Sequence, residues 1–140
     1  MIRVLVVEDQ KIMQKYFEYM LSQEPEFKHV QTVADAEEAV GICSYSAIDI
    51  VLMDVQTFHN HDGLKAGKAI REACPHTKIL IVTSLIDPKV LERAKSGCAD
   101  SLWYKDHGEE EIKAVLEGKA KHQPYQKKPP KEQPFQLLVD

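Results

Sequence analysis

Cysteine is scarce. Cys43, Cys74 and Cys98 are the only three in 140 residues, an odd number without the paired spacing of a metal site, and Cys43 lies in an apolar helical pattern. The absence of a disulfide framework points to reduced packing thiols, as in a cytosolic protein. Long apolar runs are also missing, since nothing approaches the roughly 18 consecutive apolar residues that a membrane span requires. No signal-like segment stands ahead of the first strand candidate. The expectation is a soluble, cytoplasmic chain that does not engage a membrane. Basic charge is not in excess either: 18 Lys and Arg face 22 Asp and Glu, for a net charge of −4, which gives no electrostatic footprint for nucleic acid. Finally, glycine is absent from the first turn candidate, Glu8-Asp9-Gln10. A nucleotide- or flavin-binding module needs a Gly-rich loop there, and two acids repel phosphates.

What the chain does have is an apolar run, Ile48-Asp49-Ile50-Val51-Leu52-Met53, that stops on Asp54. Such a run, rich in β-branched residues and followed by turn formers, predicts a strand buried on both faces of a parallel sheet. Ile2 to Val7 repeats the pattern and ends on Glu8-Asp9. From Lys11 to Glu24, Ile12, Met13, Tyr16, Phe17, Met20 and Leu21 recur at helical spacing until Pro25 enforces a stop. His29 to Val33 is a short strand candidate, and Asp35 with Glu38 makes a capping box for a helix to about Tyr45. Leu64 to Ala73 reads as a helix closed by Pro75, and Lys78 to Thr83 as a strand. Asp87-Pro88 opens a helix to about Lys95. Ser101 to Tyr104 is the last strand, followed by Lys105 and a helix from Glu109 to Lys121.

Strict alternation of strand and helix predicts an α/β fold, a doubly wound five-stranded parallel sheet, because each parallel return needs a right-handed crossover. Four strands then end on Glu8-Asp9, Asp54, Thr83 and Lys105. In such sheets ligands bind beyond the carboxyl ends of the strands. Three carboxylates at one sheet edge repel one another unless a cation lies between them, and oxygen-only ligands suit a hard octahedral ion such as Mg²⁺. A metal beside carboxylates, facing one ammonium and one hydroxyl, is a constellation for phosphoryl transfer, with Asp54 as the nucleophile.

With these residues in hand, the chain resembles the receiver domain of two-component response regulators, over residues 1 to 121. Glu8 and Asp9 stand where that family keeps its metal-binding acidic pair, Asp54 where it keeps the phosphoacceptor, Thr83 the switch hydroxyl and Lys105 the phosphate-binding lysine. Val51-Leu52-Met53-Asp54, Asp62-Gly63-Leu64 and Lys105-Asp106 are similar to the LuxR-class, nitrate-response type of transcriptional regulator. The resemblance implies a flavodoxin-like (βα)5 fold and a metal set of Glu8, Asp9, Asp54 and Gln56 holding Mg²⁺. Its implied partner is a sensor histidine kinase, with homodimerisation on activation and DNA reached only through an output domain. The chain would be a phosphoacceptor with self-phosphorylation and autodephosphorylation chemistry rather than an enzyme, and Gln56 would modulate acyl-phosphate hydrolysis.

Departures from the family pattern carry expectations too. Thr57-Phe58 replaces the usual Met-Pro pair, and the loop to Asp62-Gly63 is one residue longer. Leu102 stands at the aromatic switch position, with Tyr104 two residues on and available to substitute, so a weaker switch is expected. Cys98 and Ser101 occupy places where Gly or another small residue is usual. His59-Asn60-His61-Asp62 carries two imidazoles of zinc-ligand type, but a solvated polar loop is the favoured reading. Residues 122–140, with Pro124, Pro129, Pro130, Pro134, Lys127, Lys128 and Lys131, read as a linker to an output domain. The alternatives are a stand-alone receiver whose tail docks on a partner, or an aspartyl-phosphate-type phosphatase. The phosphatase pattern wants a general acid at position 56, where this chain has Gln.

Overall fold

Apolar runs become strands and amphipathic runs become the helices that cover them. The computed structural model describes residues 1–84 and 87–104. The elements are β1 (Ile2–Val7), α1 (Lys11–Ser22), β2 (Phe27–Val33), α2 (Ala36–Tyr45), β3 (Ile50–Asp54), α3 (Gly63–Ala73), β4 (Lys78–Thr83), α4 (Pro88–Gly97) and β5 (Ser101–Tyr104). Lys105, the helix expected over Glu109 to Lys121 and the Pro/Lys-rich tail lie outside the described residues.

All pairings in the sheet are parallel and its order is β2-β1-β3-β4-β5. The chain winds outward from β1 to β2, then crosses to the other side of β1 to lay down β3, β4 and β5. The winding therefore reverses between β1 and β3, and the carboxyl ends of those two strands flank the crevice such a reversal opens. Every residue of β3 is buried, as are Val4 to Val7 of β1 and Ile79 to Thr83 of β4. Burial on both faces explains why these strands read as continuous apolar runs. Each such Leu, Ile or Val contributes about 1.5–3 kcal/mol of transfer free energy. Strand β2 is an edge, with Lys28 to Gln31 exposed, and its start at Phe27 is set by that residue's burial rather than by local pattern.

Boundaries shift for identifiable reasons. Helix α1 ends at Ser22 because its last turn tightens, with Gln23 and Glu24 amides bonding to the Met20 and Leu21 carbonyls, before Pro25 is reached. Phe17, Met20 and Leu21 are buried, but Ile12 is 82% exposed. Lying five residues before Phe17, Ile12 stands roughly 140° round the helix from it, so it does not share the apolar face. The Asp35 carboxylate caps α2 through the Glu37 amide at 2.9 Å, while the Glu38 amide bonds to the Asp35 carbonyl at 3.1 Å. The Asp35 side chain thus caps one position earlier than in a capping box. Asp87 caps α4, with Pro88 at its first position, as the sequence implies. All three cysteines are free, and burial pushes the Cys43 and Cys98 thiols up to about 11, as suits packing residues. Cys98 fits because Gly67 opposite it is bare: a Cβ there would lie 2.7 Å from the Cys98 sulfur.

Candidate active site at the carboxyl ends of the strands

Residues 8, 9 and 54 are far apart in sequence but adjacent in the sheet, because β1 and β3 pair directly with Val7 opposite Met53. Each next residue leaves the ladder at the same edge. One carboxylate oxygen from each of Glu8, Asp9 and Asp54 falls within 4.8 Å of the others. Glu8 and Asp54 are buried while Asp9 is exposed, so the cluster has a floor and an open mouth. The Asp54 Oδ1 accepts a hydrogen bond from the Val55 amide at 2.8 Å, and Glu8 Oε2 accepts one from the Gln10 amide at 3.1 Å. The Gln14 side-chain amide donates to the Glu8 carbonyl at 2.6 Å. The two backbone amides orient the Asp54 and Glu8 carboxylates.

Thr83 ends β4, buried, on the strand that pairs with β3 through Asp54 and Val82. Its own ladder partner on β5 is Tyr104. Leu102 is fully buried opposite Ile81. Gln56 is exposed two residues beyond Asp54 and bridges to Asp62. Of the residues expected at the site, Lys105 alone is outside the described set.

The loop from Val55 to Gly63 is folded back on itself. The Gly63 amide donates to the Val55 carbonyl at 2.7 Å and the Thr57 amide to the His61 carbonyl at 3.0 Å. Gly63 must be glycine, since a Cβ would sit 1.8 Å from the Asp54 carbonyl oxygen. The turn itself is made by His59 (φ 62°) and Asn60 (φ 59°), residue types that tolerate the left-handed region better than most. Asp62 caps α3 through the Leu64 amide at 2.8 Å and is gripped by Arg93 Nη2 of α4 at 2.5 Å. Burial would raise the Asp62 carboxyl, but Arg93 and the Leu64 amide together hold it below the usual range.

The two imidazoles of this loop do not simply face solvent. His61 Nδ1 lies 2.6 Å from one Asp35 carboxylate oxygen and His59 Nδ1 lies 3.3 Å from the other. The His61 contact is the main reason the Asp35 carboxyl falls below its ordinary value, and the same contact raises His61. The contact links residues 26 apart in sequence, so only the two-apart imidazoles hinted at it.

The chain matches the response regulator receiver domain over residues 4–117. The chain belongs to the receiver family. It is 29% identical over 115 residues to the transcriptional regulatory protein YxjL of Bacillus subtilis, covering 81% of this chain and 52% of that one. It is 30% identical over 100 residues to the response regulator protein VraR of Staphylococcus aureus, covering 71% of this chain and 47% of VraR. A protein-glutamate methylesterase of Nitrosospira multiformis is 34% identical over 88 residues, 63% of this chain and 24% of the enzyme. The chain therefore spans from about a quarter to about half of these relatives' lengths. Among solved structures, the receiver domain of NarL from Mycobacterium tuberculosis superposes with a TM-score of 0.79 at 22% identity, covering 86% of this chain and 96% of that one. A LuxR-family regulator from Aurantimonas gives 0.78 at 24%, with 86% of both chains covered. The expected receiver family, its kinship with LuxR-type regulators and the five-stranded fold are thus borne out. No described helix is long and apolar enough to cross a membrane.

Proposed function

We propose that Asp54 is the phosphoacceptor of a two-component relay. The observation that carries this reading is the convergence of Glu8, Asp9 and Asp54 at the point where the winding of the sheet reverses. An Asp54 carboxylate oxygen attacks phosphorus in line, forming a P–O bond as the P–N bond to the phosphohistidine of a sensor kinase breaks. The imidazole leaves with the electron pair and takes up a proton. The donor set is all oxygen, part buried and part open, which fits a small hard cation such as Mg²⁺ better than a softer one. Glu8, Asp9 and Asp54 would hold it, with Gln56 beside them. When bound, it neutralises charge on the phosphoryl oxygens and on the acids themselves.

In this reading Lys105 pairs with the phosphoryl group and Thr83 donates its hydroxyl to it. Gln56 overhangs the acyl phosphate and sets how readily water reaches it. Leu102 is already fully buried and has no hydroxyl to gain a partner, so the two states differ by less free energy than an aromatic there would provide. The unit acts as a switch in the cytoplasm rather than as an enzyme, over residues 1–121. Residues 122–140 link it to an output domain through which a dimer reaches DNA. Incubation with Mg²⁺ and a small phosphodonor should add one hydroxylamine-labile phosphoryl group. Retained labelling in Asp54→Asn would exclude Asp54 as acceptor, and equal labelling in chelator would exclude the metal requirement.

A further inference from the structure

A second cluster joins the loop that follows Asp54 to the start of α2, and it differs from the first in donor chemistry. We propose that Asp35, His59 and His61 form a binding site for a borderline transition ion of the Zn²⁺ type, distinct from the all-oxygen site at Asp54. One nitrogen from each imidazole and one Asp35 carboxylate oxygen lie within 4.8 Å of one another. Ligands on a tetrahedral ion with bonds of about 2.0–2.2 Å stand roughly 3.3–3.6 Å apart, so modest side-chain rotation closes the set. Glu37 faces the other nitrogen of the His61 ring, with its Oε2 at 3.5 Å from His61 Nε2, and so helps orient that ring from outside the set. Two nitrogens with one carboxylate select zinc, nickel or copper over magnesium.

The site is built across two elements rather than along one flexible loop. Asp35 is buried at the start of α2, where its carboxylate is held by the Glu37 amide. Buried Thr57 fastens the loop to that helix: its hydroxyl accepts from the Ala36 amide at 3.0 Å and donates to the His61 carbonyl at 3.0 Å. The left-handed pair His59 and Asn60 then reverses the chain, bringing the two rings to the same carboxylate with centroids 5.7 Å apart. His59 is largely exposed, which leaves a route for an ion and an open coordination position for water. A bound ion would brace the loop spanning Val55 to Gly63. Binding itself does not depend on the role proposed for Asp54; any effect on phosphorylation does.

The test uses the full chain, stripped with chelator and returned to excess Mg²⁺ so that the all-oxygen site is saturated. Co²⁺ is titrated as a spectroscopic probe of nitrogen ligation and geometry, and Zn²⁺ by calorimetry. The expected result is one equivalent of either ion, weakened at least about tenfold by His61→Gln, by His59→Gln and by Asp35→Asn, and unchanged by Asp54→Asn. Asparagine caps a helix as well as aspartate does, so Asp35→Asn removes the ligand charge without removing the cap. Thermal melts of the apo variants check that each is folded. No binding in excess Mg²⁺ would overturn the proposal, as would binding lost in Asp54→Asn or retained in the double variant His59→Gln, His61→Gln. Phosphoryl labelling, measured separately by intact mass, reports on Asp54 whatever the outcome.

Discussion

The two ends of the sheet treat carboxylates in opposite ways. At the amino ends of β3 and β5 the acid just ahead of the strand has its own guanidinium. Asp49, just ahead of β3, accepts from Arg3 Nε at 3.1 Å and from the Arg3 amide at 2.7 Å. Asp100, just ahead of β5 and buried, takes Arg71 on the same oxygen that accepts the Ile79 amide. Arg71 also donates to the carbonyls of Thr77 and Cys98 at 3.1 and 3.0 Å. At the carboxyl ends, Glu8, Asp9 and Asp54 converge on one another. Asp49 and Asp54 stand at opposite ends of one strand, so the contrast is not a matter of element type. An acid paired with a guanidinium stabilises the fold; acids gathered at one point suit the cation and phosphoryl group proposed above.

The largest effect should come from breaking the matched end. Arg71→Ala leaves the Asp100 carboxylate buried beside β4 with its charge partner removed, a situation that costs about 3–5 kcal/mol. Urea denaturation should show a midpoint shift of that size with an unchanged slope, and Arg71→Lys should recover part of it.

Next is a backbone change at the other end. Gly63→Ala must push its Cβ off the Asp54 carbonyl, which means opening the loop and costs about 1–3 kcal/mol. Because the displaced group belongs to Asp54, phosphoryl labelling should slow as well. A variant that lost stability and labelled at the wild-type rate would separate loop geometry from the site.

Asp54→Asn removes one carboxylate of the cluster, so the stabilisation that Mg²⁺ gives the folded chain should fall, read as a smaller Mg²⁺-dependent rise in melting temperature. Added Mg²⁺ should stabilise the wild type by mass action and Asp9→Asn much less.

The smallest effect concerns pH. Burial favours a raised Asp49 carboxyl, but Arg3 outweighs it and holds the group low. Its folded-state value is therefore below the unfolded one, so its contribution is fully present above the unfolded value of about 3.9 and is lost as pH falls through the folded value. Both partners are near half-exposed, so screening limits this to a few tenths of a kcal/mol. Arg3→Gln should lower stability at neutral pH by that amount, leave it unchanged below the folded-state value of Asp49, and so flatten the acid limb of the stability profile.

Much of this was legible before any coordinates. Apolar runs that stop on Asp9, Asp54 and Thr83 mark both the strands and the edge they share, since burial on both faces forces continuous hydrophobicity and function forces polar ends. The start of β2 was not, because Phe27 is fixed by contacts from outside its own segment. Ile12 recurs at helical spacing with the buried residues of α1 yet is exposed, because it shares their apolar character but not their angle. The loop after Asp54 was least legible. Its geometry depends on Asp35, on Thr57 binding the start of α2, and on two consecutive left-handed residues, none of which imposes a period on the sequence.

The most direct measurement of the central claim is the intact mass of the full chain after incubation with Mg²⁺ and a small phosphodonor, beside Asp54→Asn under the same conditions. The account predicts one added phosphoryl group on the wild type, removed by hydroxylamine, and none on Asp54→Asn. Equal labelling of both proteins would contradict it.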